Sequence, residues 1–105
     1  MKPPPELRRG FKDPKRLDKI RQLPCLICKG DQKSPTEVHH YWGTGAGKKE
    51  SDRKTMPLCN FHHTGSFGGH VVGETIHAGL REFEAKHGTQ EELIERTNEL
   101  LNKIN

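Results

Sequence analysis

Two pairs of soft ligands carry the first chemical signal. Cys25-Leu-Ile-Cys28 and Cys59-Asn-Phe-His62 each set two metal-binding side chains two residues apart. That spacing lets a tight turn aim both side chains at one point, so the two pairs can close a tetrahedral zinc site. Paired turns of this kind predict a closed structural site rather than a nucleophilic cysteine, which needs an exposed thiolate and a neighbouring base. The remaining histidines form a second set: His39 beside His40, His63 directly after His62, then His70, His77 and His87. Neighbouring side chains on a strand point to opposite faces, so His39 and His40 cannot both ligate one ion in a simple way. They need different tasks: one binds a metal, and the other, with an ordinary imidazole pKa of about 6.5, is a general base at neutral pH. His87 falls at what reads as an exposed helix end and is set aside.

These side chains need elements to hold them. Asp13-Pro14 starts a helix, with the carboxylate capping the first turn and proline where its missing N–H costs nothing. Leu17, Ile20 and Leu23 share its inner face, and Pro24 ends it. After a loop marked by Gly30, Asp31 and Ser34-Pro35, the β-branched and aromatic run Thr36 to Trp42 predicts a strand that carries the histidine pair. A Gly- and Lys-rich loop, 43–54, leads to a short second strand at Thr55 to Leu58, and a Gly-rich stretch, 64–73, follows the second ligand pair. Ile76, Leu80 and Phe83 recur at helical spacing, predicting a helix from Glu74 to His87 with Gly88 as its C-cap. Thr89 and Glu92 make a capping box for a last amphipathic helix, whose stripe is Leu93, Ile94, Thr97, Leu100, Leu101 and Ile104. The fold class is α+β, with residues 1–12 as a flexible basic arm and residues 13–105 as a single domain.

Of 105 residues only 30% are hydrophobic and 6% aromatic, so apolar burial alone is a thin basis for the fold and a zinc ion would supply the missing folding free energy. The length excludes a multidomain enzyme, and no apolar run is long enough for a membrane span or a signal peptide. Three cysteines in metal-like spacing disfavour a secreted disulfide framework, and a cytoplasmic protein is expected. With 18 Lys plus Arg against 14 Asp plus Glu, the net charge is +4, which suits contact with nucleic-acid phosphates. Lys48, Lys49, Arg53 and Lys54 in the loop, and Arg8 and Arg9 in the arm, are the candidates for DNA backbone contact, together with Lys12, Lys15 and Arg16. The segment Gly43 to Lys49 is not a phosphate-binding loop for a nucleotide. The pattern needs glycine where Trp42 stands and Ser or Thr after its lysine, so no nucleotide cofactor is expected.

Two strand histidines, a loop, a Pro-Leu-Cys-x2-His-His turn and a leading Cys-x2-Cys resemble the zinc-containing H-N-H endonucleases, whose active unit is a ββα-metal (His-Me finger) motif. More narrowly, Leu23-Pro-Cys-Leu-Ile-Cys28, Val38-His-His40, Met56 to His63, Ile76-His-Ala-Gly79 and Phe83 to Leu93 resemble the RecA-dependent nucleases typified by a phage recombination-enhancement protein. The resemblance runs over about residues 13–104. It implies a zinc-stabilised ββα-metal core with an N-terminal helix and a C-terminal helical hairpin. It further implies His39, His63 and His77 as ligands of a catalytic metal, with His70 ranked below His77, and His40 as general base in phosphodiester hydrolysis of DNA, leaving 5′-phosphate and 3′-hydroxyl ends. A RecA filament is the implied protein partner. An all-imidazole set suits Zn2+, Mn2+, Ni2+ or Co2+ better than Mg2+, which prefers oxygen ligands. Where the general H-N-H pattern has its middle asparagine, this chain offers Asp52, Arg53 or Lys54. Two alternatives stand beside this reading. A structure-selective nuclease would share the same core. A non-catalytic zinc-knuckle module binding nucleic acid would need Cys25, Cys28, Cys59 and His62 but would have no use for the other histidines.

Overall fold

The computed structural model describes residues 4–32, 34–42 and 50–103. The expected loop Gly43 to Lys49, with Lys48 and Lys49, and the stripe residue Ile104 lie outside the described residues. The first helix, α1, is Pro14–Arg21, and the Asp13 side chain accepts the Arg16 N–H at 3.2 Å, as an N-cap does. Ile20 is fully buried beneath it. Two antiparallel strands follow, β1 (Thr36–His40) and β2 (Thr55–Cys59), in a register that sets Val38 opposite Pro57 and His40 opposite Thr55. The expected first strand ran on to Trp42, but it ends at His40. The Trp42 N–H is taken instead by the Gln90 side chain, so the backbone leaves the sheet.

All five residues of β2 are buried, because α1 packs on both strands and the last helix packs on β2. Pro57 is tolerated in β2 because the sheet has only two strands. Its carbonyl accepts the Leu26 N–H at 3.1 Å, which ties the Cys25–Cys28 turn to the sheet. Leu26, Met56, Leu58, Ile76, Phe83, Leu93 and Ile94 form the core together with Cys25 and Cys59, so the first ligand set sits inside the apolar centre.

The helix expected from Glu74 to His87 is instead two pieces: a 3₁₀ turn, Ile76–Ala78, and helix α2, Leu80–His87, with Gly79 between them. The N–H groups of Ile76 and His77 donate to the carbonyls of His62 and His63, at 2.8 and 3.1 Å, and the extended backbone at Gly79 separates this turn from α2. Gly88, at φ +110°, makes the sharp exit from α2. The last helix, α3, is Gln90–Lys103, and its capping box is complete: Glu92 N–H donates to Thr89 Oγ1 at 3.1 Å and Thr89 N–H to Glu92 Oε1 at 2.9 Å. The two helices of the expected C-terminal hairpin are successive, and the packing partner of α3 is β2.

The described part of the basic arm, residues 4–12, lies against residues 50–53. Ser51 Oγ donates to the Glu6 carbonyl, Asp52 N–H donates to the Phe11 carbonyl at 2.9 Å, and Arg9 pairs with Glu50 at 3.2 Å. Among the described residues no helix is long and apolar enough to cross a membrane.

Candidate metal centres and the histidine cluster

Cys25 and Cys28 come from the turn after α1, Cys59 from the end of β2 and His62 from the turn beyond it. The Cys28 and Cys59 sulfurs are 3.7 Å apart, and His62 Nδ1 is 3.8, 3.4 and 3.3 Å from the sulfurs of Cys25, Cys28 and Cys59. A zinc ion with bonds of about 2.3 Å to sulfur and about 2.0 Å to nitrogen requires tetrahedral edges of about 3.8 Å for S–S and about 3.5 Å for S–N. The four residues therefore fit a metal ion such as zinc. Lys29, at φ +55°, closes the first turn by donating its N–H to the Cys25 carbonyl at 2.8 Å. Burial and the neighbouring Cys25 push the Cys28 thiol up to about 12, and burial raises Cys25 as well. Burial also acts on Cys59, but the His62 backbone N–H and the neighbouring hydroxyl and thiols outweigh it and lower that thiol. A bound divalent cation would hold all three as thiolates.

The other nitrogen of His62, Nε2, faces Glu74 Oε1 at 3.4 Å, and His87 Nε2 donates to the same oxygen at 3.0 Å. A carboxylate behind a ligating imidazole fixes its ring and its tautomer. His87 was expected to be exposed and idle. Its side chain is instead largely buried against Phe83, because Lys86 and His87 both close on Glu74. Glu74 gave no signal in the sequence, since a whole Gly-rich loop separates it from His62.

A second group gathers His39, His63 and His77, whose rings stand edge to face with centroids 4.8 to 5.6 Å apart. Their ligand nitrogens all lie within 4.8 Å of one another, so the three could hold a metal ion. His39 reaches it from β1. His63 and His77 are brought side by side by the two backbone bonds between residues 62–63 and 76–77. Hydrogen bonds decide which nitrogens are free. Gln90 Oε1 accepts from Trp42 N–H at 2.7 Å and also stands 2.9 Å from His39 Nε2, so that nitrogen carries the proton and Nδ1 keeps its lone pair. Glu37 Oε1 accepts from His63 Nδ1 at 2.8 Å and leaves Nε2 free. Burial lowers His39 to about 3 and lowers His77, which the charge of His63 pushes in the same direction. Both imidazoles are thus neutral at neutral pH, the form that ligates metals. His70 is exposed, donates to the Thr64 carbonyl at 3.3 Å and stands outside the triad.

His40 leaves β1 on the face opposite His39. Its Nε2 donates to Asp52 Oδ1 at 2.8 Å, so Nδ1 retains a lone pair. Asp52 is buried, and its other oxygen accepts the Asp13 N–H at 2.8 Å. Burial alone would raise this carboxyl, but that N–H and the His40 bond keep it below the usual range. Of Asp52, Arg53 and Lys54, it is therefore Asp52 that braces the histidine. Arg53 pairs with Asp13 and lies over the Phe11 ring, Lys54 lies over the Tyr41 ring, and Arg8 is exposed. Arg16 departs from the expected DNA-facing charges. It is buried, its guanidinium donates to Thr55 Oγ1, the Thr55 carbonyl and Asn98 Oδ1, and burial together with the charge of Arg53 lowers it to about 10. Sequence reasoning missed Glu37, Glu74 and Gln90, each of which acts on a histidine far from it in the chain.

Residues 12–102 match a family model described as recombination enhancement, RecA-dependent nuclease. No curated protein and no solved structure matches the chain.

Proposed function

The chain belongs to the RecA-dependent nuclease family of recombination enhancement, and from that premise we propose that it is a metal-dependent DNA endonuclease of H-N-H type with a ββα-metal core. The observation that supports this best is the meeting of three imidazoles with ligand-ready nitrogens, one strand position from a histidine held by a buried aspartate. Cys25, Cys28, Cys59 and His62 hold a structural zinc, and residues 13–105 work as one nuclease domain. His39, His63 and His77 would hold a divalent ion, which would supply positive charge to offset the negative charge that builds up on the reacting phosphate. His40 Nδ1 takes the proton from a water that attacks phosphorus in line, and the bond to the 3′ oxygen breaks. Asp52 holds the ring through Nε2 and balances the imidazolium that forms. His40 is the last residue of β1, so this reading has the phosphate lie across that end of the sheet, where His39 and His40 leave on opposite faces. Arg8, Arg9, Arg53, Lys54 and the loop lysines Lys48 and Lys49 meet the DNA backbone, and a RecA filament presents the strand.

The test is cleavage of supercoiled and linear DNA in Mg2+, Mn2+, Ni2+ and Zn2+, with and without a RecA filament paired at a homologous site. Cutting is expected, and His40→Ala should lower it by about a hundredfold or more while leaving the zinc content and melting curve in place. Undiminished cutting by that variant would remove His40 from its role. No cutting under any condition by folded, zinc-loaded protein would make the chain a nucleic-acid-binding zinc module.

A further inference from the structure

We infer that Trp42 and the cleft beside it hold an unpaired nucleobase next to the scissile phosphate, which makes a strand with unpaired bases the preferred substrate. The inference rests on the nuclease reading above and adds to it the state of the DNA that the site accepts. Trp42 is the sole tryptophan of the chain and is 48% exposed at the point where the backbone leaves β1. Core packing does not account for it. Its ring leans over His77 with centroids 5.0 Å apart and an interplanar angle of 34°, so the indole forms one wall of the histidine triad. Its backbone is pinned at both polar groups by Gln90, whose Oε1 accepts the Trp42 N–H at 2.7 Å and whose Nε2 donates to the Trp42 carbonyl at 3.3 Å. The same Gln90 oxygen holds His39. One side chain therefore fixes a metal-binding imidazole and a half-exposed aromatic ring in one geometry.

Trp42 also lines a cleft of about 430 Å³ together with Tyr41, Leu80 and Gln90. Among the described residues, the charged groups on that cleft are Glu84, Glu91 and the ion pair of Arg9 with Glu50. With Glu50 paired to Arg9, the carboxylates of Glu84 and Glu91 remain, and inside the cleft they favour a neutral group with hydrogen-bond donors over a phosphate. A nucleobase fits this chemistry: it has a flat face for the indole and amino N–H groups for carboxylate oxygens. In a duplex those faces are stacked and those edges paired, so only an unpaired base can enter.

The experiment uses the emission of Trp42 in the full chain, purified with its zinc and with no other divalent ion added, while anisotropy of end-labelled DNA reports binding independently. The probes are a single strand, the blunt duplex of the same sequence and an abasic strand of the same length. The expected result is strong quenching by the single strand alone, with binding but little quenching by the other two. Trp42→Ala should weaken single-strand binding about tenfold, and Trp42→Tyr should restore most of it, because a stacking face is what is lost. Single-strand binding that leaves the emission unmoved, or equal quenching by all three probes, would overturn this inference and leave the nuclease reading standing. No binding of any probe would also overturn this inference, while cleavage in the presence of a RecA filament decides the nuclease reading separately.

Discussion

His39, His40 and His63 each commit one ring nitrogen to a protein oxygen and keep the other, while His62 turns Nδ1 to the sulfurs and Nε2 to Glu74. The acceptors leave these four imidazoles with different free nitrogens without a change of residue type. Removing one sulfur tests the proposed zinc site. Cys28→Ser should cost roughly 4 kcal/mol or more and make the fold chelator-sensitive, and an unchanged melting curve at equal zinc content would contradict the structural site. His39 offers a test in pH. Burial holds it at about 3 in the folded chain, whereas an unfolded histidine titrates at about 6.5. The unfolded chain therefore takes the proton first, and the contribution of His39 to stability is present above about pH 6.5 and lost as pH falls toward 3. At pH 5 the loss from this one group is about 2 kcal/mol. Denaturant midpoints at pH 7 and pH 5 should separate more in the wild type than in His39→Gln, and equal separations would remove His39 as the source.

At the scale of elements, helix ends and hydrogen-bonding choices set where the ligands stand. Asp13 caps α1 and also anchors the Asp52 loop through its backbone N–H, so one residue serves a helix terminus and the support of His40. In the 3₁₀ turn Ile76–Ala78 the N–H groups of Ile76 and His77 pair with the 62–63 carbonyls, and that pairing sets His77 beside His63. Helix α3 positions Gln90 at its first residue, where it reaches both His39 and Trp42. Its capping box has no such distant partner. Thr89→Ala should thus cost about 1 kcal/mol, read from the denaturation midpoint, with the bound zinc retained. A loss of zinc in that variant would mean that the helix end supports the metal centre directly.

At the scale of the whole molecule, the arm lies on the 50–54 segment, with Arg53 next to Asp52 and Lys54 over Tyr41, while Arg9 lines the cleft by Trp42 together with Glu50, Glu84 and Glu91. DNA affinity should accordingly fall linearly with the logarithm of salt concentration, and a flat profile in a titration from low to physiological salt would argue against phosphate contact. The sequence by itself determined what is local. Cys-x2-Cys and Cys-x2-His spacings, Asp13-Pro14 and the Thr89–Glu92 box are chemistry completed within one turn of chain, and strand alternation already separates His39 from His40. It misread the run from Glu74 to His87, where helical periodicity was real but the extended Gly79 splits the run in two, and it left the strand at Trp42 two residues too long. Only the tertiary structure decided that Asp52 braces His40, that Arg16 is buried, and that Glu37, Glu74 and Gln90 choose the free nitrogens, while it sets beside His63 the His77 that the family resemblance already ranked above His70. The physical reason is that each of these partners is set by how the chain closes on itself, and a hydrogen bond across such a closure leaves no periodicity or spacing in the sequence to read.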